Sequence, residues 1–99
     1  MEKKKIGLIW RTSSLNALED IYFYIAESNP ENAAKFIERM ISFGESLTIL
    51  PSKHSICRFK KYAQRNYHCA VFEKNYMFIF RINGNKVSIY QIHHVSRLK

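Results

Sequence analysis

Before Pro51 the apolar residues of this chain recur every three or four positions, and from Asn66 onward they recur every two. The first period belongs to helices and the second to strands, so the chain is bound to an α+β fold with its helices first and its sheet mostly last. Leu15, Leu18, Ile21, Tyr22 and Ile25 form one amphipathic stripe, preceded by Thr12, Ser13 and Ser14 as hydroxyl caps. Asn29-Pro30 closes that helix and opens another: proline disfavours helical geometry in the residue before it but is welcome at the first helical position. The second stripe is Ala33, Phe36, Ile37, Met40, Gly44 and Leu47, reaching Leu50 before Pro51 stops it. So short a link predicts an antiparallel helical hairpin.

An apolar run at Lys4 to Trp10 predicts a first strand ahead of the hairpin. Pro51 to Arg65 has no clean period and reads as a basic loop, with a short strand around Ile56 to Phe59. Strands are predicted at Tyr67 to Phe72, Tyr76 to Ile82 and Lys86 to His93, the last two joined by a tight turn at Asn83-Gly84. A two-residue turn there sets Ile82 opposite Asn85, Phe80 opposite Val87 and Phe78 opposite Ile89. That register gives one apolar face for the helices and another carrying Met77, Ile79 and Arg81 beside Ser88, Tyr90, Ile92 and His94. The expected architecture is a strand, a helical hairpin and a three- to four-stranded antiparallel sheet with the helices on one face.

Ninety-nine residues with 46% apolar content suit a single domain, 1–99, with one core. The charge is not shared evenly. Met1 to Glu45 holds six Lys/Arg against seven Asp/Glu, whereas Ser46 to Lys99 holds ten against the single acid Glu73. That asymmetry costs self-repulsion, and it points to an acidic or polyanionic partner for the second half. No apolar run approaches the roughly 20 residues of a membrane span, and Ile6 to Trp10 is too short for the core of a signal peptide, so a cytoplasmic protein is expected. Cys57 and Cys69 are too few for a disulfide framework and are expected as small buried thiols. His54-x-x-Cys57 and His68-Cys69 fit no zinc-ligand spacing, so neither a metal nor a cofactor is expected.

In order and spacing, these signals resemble the RelE/ParE toxin superfamily of bacterial type II toxin–antitoxin, or plasmid stabilisation, pairs. The residues that carry the likeness are Trp10, Leu18, Ile21, Tyr24-Ile25, Asn29-Pro30, Ala33, Phe36 and Leu50-Pro51. They are joined by the closing stretch Phe72 to Arg97, with its aromatic strand, turn, apolar strand and terminal His94-Val-Ser-Arg97. The chain departs from the family at Ser14, where Ala is common, at Ala17, where an acid is common, and at Val95, where Gly often follows the His.

The resemblance implies two alternative mechanisms. RelE-like members cut messenger RNA on the ribosome; ParE-like members bind and poison DNA gyrase without a nuclease centre. Metal-free RNA cleavage needs a base, an acid and cations for the phosphorane charge. The candidates for it, if the chain is RelE-like, are His94, Arg81 and Arg97, with Tyr90 on the same row. Strand alternation allows only one of His93 and His94 to share a face with Arg81, and the expected register selects His94.

Arg58, Lys60, Lys61 and Arg65 are candidates for gripping a nucleic acid or another target, helped by the neighbouring aromatics Phe59 and Tyr62. Plainer readings stand beside these: Arg81 as a snorkelling strand residue, His93 at the edge of the core, Lys60-Lys61 as a solvated loop, and Tyr90 as packing. Only Leu98 and Lys99 follow Arg97, where some nuclease members place a catalytic aromatic, and Phe72 to Ile82 looks more ParE-like. The ParE-like reading is therefore preferred, with the nuclease open and an inactive relative or a basic nucleic-acid-binding module as further alternatives. The family likeness also implies a cognate antitoxin and a toxin–antitoxin hetero-oligomer.

Overall fold

Strand pairing, not a side-chain cap, sets where the first helix begins. In the computed structural model, which describes residues 6–49, 51, 54, 56–57 and 66–95, strand β1 (Gly7–Trp10) runs straight into helix α1 (Thr12–Ala26). The Arg11 amide still donates to the Ile89 carbonyl at 2.9 Å. Arg11 is thus the extended N-cap residue and offers no side-chain bond to the helix. The expected hydroxyl caps are already inside the helix, and the Ser14 hydroxyl instead donates back to the Arg11 carbonyl at 2.7 Å. Ser14 and Leu18 are the buried residues of α1, while Leu15, expected in the apolar stripe, is half exposed.

The second helix begins as its sequence predicts. α2 (Pro30–Ser46) has Pro at its first turn, and the Asn29 carboxamide oxygen accepts from the Asn32 amide at 3.0 Å. Ala33, Met40 and Gly44 face inward. The helix stops at Ser46, short of the expected Leu50. Leu47, Thr48 and Ile49 donate to carbonyls three residues back, a tightened exit that still buries Leu47 completely.

Strands β2 (His68–Phe72), β3 (Tyr76–Asn83) and β4 (Lys86–His94) form the antiparallel meander. β1 joins it parallel to β4, giving the order β1-β4-β3-β2. The turn between β3 and β4 is Gly84-Asn85, one residue later than expected. Asn83 pairs with Lys86, and Gly84 takes φ +59° at the first central position, as type II′ turns require. Phe80 therefore faces Ile89 and Ile82 faces Val87. This is a shift of two along β4, so both strands keep the expected sides there. Phe78, Phe80, Val87 and Ile89 are fully buried under the helices.

A β-bulge then breaks the expected alternation. Phe80 pairs with Ile89 but Ile79 pairs with Gln91, which leaves Tyr90 as the inserted residue. Beyond it Phe78 pairs with Ile92 and Tyr76 with His94. Ile92 is consequently buried in the helix-side core with Phe78, and His94 shares the row of Tyr76, not that of Arg81.

The far side of the sheet also differs from expectation, because it has a small core of its own. Cys57, Tyr67 and Ile79 are buried there, with Cys69, Met77 and Tyr90 packed around them. Ile56 makes an antiparallel bridge to His68, and the Cys57 amide donates to the Tyr67 carbonyl at 2.7 Å. Of the expected strand at 56–59, residues 56 and 57 make this contact and 58 and 59 lie outside the described residues. Cys57 and Cys69 are joined in a disulfide, which corrects the expectation of two free thiols. Directly paired strands put the two sulfurs within bonding reach, with Cα atoms 5.1 Å apart. Among the described residues, no helix is long and apolar enough to cross a membrane.

Candidate functional site

On the far face, four side chains from four segments form a continuous ladder. Arg11 lies just past β1, and its Nη2 donates to the Tyr90 hydroxyl at 3.4 Å with its guanidinium 5.2 Å from that ring's centre. Tyr90 meets Tyr67 edge to face at 5.1 Å. Arg81, on β3, sets its guanidinium 5.4 Å from the centre of the Tyr67 ring. Two cations thus bracket two tyrosines whose edges and faces suit them electrostatically. Such a row offers fixed guanidinium groups to an acidic or phosphate group and flat aromatic surface beside them.

The local sequence explains each placement. Alternation from Ser88 brings Tyr90 to this face just before the bulge, and Tyr67 packs with Cys57 and Cys69 in the same small core. Arg81 comes to this face through strand alternation, as expected. Arg11 was not among the residues the sequence singled out, because it belongs to the charge-balanced half. The signal available for it was its position directly after Trp10, where an extended residue leaves the sheet.

The structure separates the other candidates. His94 stacks edge to face on Tyr76 at 5.2 Å and lines a groove of about 830 Å³ between α1 and β4, with Asp20, Tyr24 and Gln91 among its walls. The bulge has carried it away from the face of Arg81, which corrects the expected pairing of the two. His93 is the histidine on the far-face row, opposite Met77, whereas Arg81 is opposite Ser88. Four residues of strand separate Met77 from Arg81, roughly 13 Å. A proton carrier and the guanidinium are thus not brought together there. Arg97, Arg58, Lys60, Lys61 and Arg65 lie outside the described residues.

The groove exists because β1 ends at Trp10, so the outer edge of β4 beyond Ile89 runs beside α1 instead of a strand. Gln91 partly blunts that edge, its side-chain oxygen accepting from the Ile92 amide at 3.1 Å. On the opposite flank, Arg39 of α2 grips Glu73 through Nε at 2.8 Å and Nη2 at 3.2 Å, while its guanidinium stacks on Phe36. The guanidinium hydrogen bond lowers the Glu73 carboxyl below its ordinary range and raises Arg39. Among the described residues, no group of three His, Cys, Asp or Glu side chains is placed to hold a metal ion.

The fold has a relative of known structure. Over 90% of this chain and 95% of the other, it superposes on a chain from the chromosomal ParDE toxin–antitoxin system of P. aeruginosa with a TM-score of 0.74 and 20% identity. No curated protein sequence matches it. A family model described as the ParE toxin of the type II toxin–antitoxin system parDE matches residues 8–98. With that match spanning strand, hairpin and meander alike, the chain belongs to the ParE toxin family of type II toxin–antitoxin systems.

Proposed function

We propose that this toxin arrests growth by binding DNA gyrase through the far face of its sheet, without cutting RNA. The observation that carries the reading is the bulge at Tyr90: it leaves Arg81 and Arg11 on a tyrosine platform and sends His94 to the other side. An arginine–tyrosine row of this kind suits binding, since these are the residue types that anchor interfaces. Arg58, Lys60, Lys61, Arg65 and Arg97 add their charge to the attraction of the target in this proposal.

A cognate antitoxin would neutralise the toxin in the cytoplasm as a hetero-oligomer. Its segment would be acidic and amphipathic, matching the basic half and the apolar side chains that the helical hairpin leaves exposed, Leu15, Phe23, Tyr24 and Ile41.

The test compares two reactions with purified toxin: supercoiling by DNA gyrase and translation in a cell-free extract. Gyrase inhibition that an Arg81→Ala/Tyr90→Ala variant loses by roughly tenfold or more, with translation untouched, is the expected result. Blocked translation with cleaved messenger and active gyrase would overturn the reading in favour of the nuclease.

A further inference from the structure

We propose that the Cys57–Cys69 disulfide is a redox-operated clamp on the target-binding face. Cys57 belongs to a segment held to β2 by the Ile56–His68 bridge and the bond from its amide to Tyr67. The disulfide fastens this segment across twelve residues of chain. Its Cys57 end is 3% exposed and covers the fully buried Ile79. Tyr67 is opposite Cys57 and two residues before Cys69, so the bond braces Tyr67 from both strands. Tyr67 in turn is the platform for Arg81 and the edge-to-face partner of Tyr90.

Once the bond is cut, the segment keeps the Ile56–His68 bridge, the Cys57–Tyr67 hydrogen bond and the hydrogen bond from the His68 ring to the His54 carbonyl at 2.8 Å among the described residues. Two thiols replace a covalent link, and local opening then competes with non-covalent contacts alone, the edge of His54 on Phe80 among them. In a reducing compartment, disulfides of this kind serve as sensors more often than as staples.

The chemistry is thiol–disulfide exchange with a dithiol reductant. Cys69 keeps partial exposure while Cys57 is buried, so a reductant thiolate attacks Sγ of Cys69. The S–S bond breaks, and Sγ of Cys57 leaves as a thiolate and takes up a proton. The second thiolate of the reductant then attacks its own sulfur in the mixed disulfide, which releases Cys69 and closes the reductant's disulfide. Two electrons pass to the protein, and its two sulfurs end protonated. The oxidised chain is the form that binds its target; the reduced chain binds more weakly.

The effect on binding rests on the gyrase reading, whereas the clamp itself does not, and the experiment separates them. Hydrogen exchange at the Cys57 amide and at β3 and β4 amides is followed in the full chain before and after dithiol treatment, beside gyrase inhibition by both forms. A Cys57→Ser/Cys69→Ser variant serves as the permanently open form. Expected are an increase of roughly threefold or more in Cys57 exchange, retained protection of β3 and β4, and a rise of roughly threefold or more in the inhibitory concentration. The serine variant should match the reduced chain and ignore the dithiol. Smaller changes in either quantity, or loss of protection throughout the sheet, overturn the clamp. If neither form inhibits gyrase, the gyrase reading falls and exchange alone decides the clamp by the same limits.

Discussion

Gly44 lies directly under Trp10: a Cβ built there would collide with Cη2 of the indole and lie 2.6 Å from its Cζ2 and 3.1 Å from the Ile89 methyl. A Gly44→Ala change should therefore destabilise the fold. Overpacking costs about 1–3 kcal/mol, offset in part by the roughly 1 kcal/mol that Ala gains over Gly in a helix. Urea unfolding with a lowered midpoint and an unchanged slope is the expected outcome; a stabilised variant would show that Trp10 moves freely. Sequence reading placed Gly44 on the buried stripe but gave no reason for a glycine, since the reason is an aromatic ring from a strand 34 positions earlier. Glu73 carries a second prediction at this scale. Its carboxyl is lowered by Arg39, so the pair's contribution is present at neutral pH, above the unfolded carboxylate value. It fades as pH falls through the lowered folded one. Wild type and Glu73→Gln should differ in thermal midpoint at pH 7 and low salt, with the gap closing toward pH 3 and in high salt, because both side chains are about half exposed.

Among the elements, the helices were the most legible. The helix start at Asn29-Pro30 and the stripe from Ala33 to Leu47 hold in the structure because they depend on neighbours in sequence. Removing the cap in Asn29→Ala should cost about 1 kcal/mol by chemical denaturation. β4 was legible only as far as Ile89. An inserted residue leaves no mark in an alternating pattern when the residues beyond it, Ile92-His93-His94, supply an apolar side chain and histidines that suit either face. The expectation for His94 failed for that reason, as did the one for Ile92. Burial of Ile92 at 5% exposure now makes a prediction: Ile92→Ala should cost about 2–4 kcal/mol, as core truncations do. A cost under about 1 kcal/mol would return it to the surface and remove the bulge. The disulfide was illegible because its geometry arises from a pairing between Cys57 and Tyr67 that the aperiodic stretch before Asn66 conceals.

For the molecule as a whole, the uneven charge has a structural counterpart. Glu73, the one acid of the second half, is occupied by Arg39 of the first, so the ten cations of the later segment gain no neutralising partner from it. Association with an acidic partner should then be fast and sensitive to salt. Stopped-flow rates ought to fall about tenfold or more between roughly 0.05 and 0.5 M ionic strength, while dissociation changes little; a rate indifferent to salt would contradict this. The strand order carries a different implication. β1 lies against β4 in parallel, residues 7–10 beside residues 86–89, so the earliest of the sheet's four strands has its seat beside the latest. The hairpin can form as it emerges, but the sheet has no middle until β4 is free of the exit tunnel. The helices are therefore made before the strand that completes the sheet, and the face shared by Arg11, Tyr67, Arg81 and Tyr90 can assemble only once β4 has joined it.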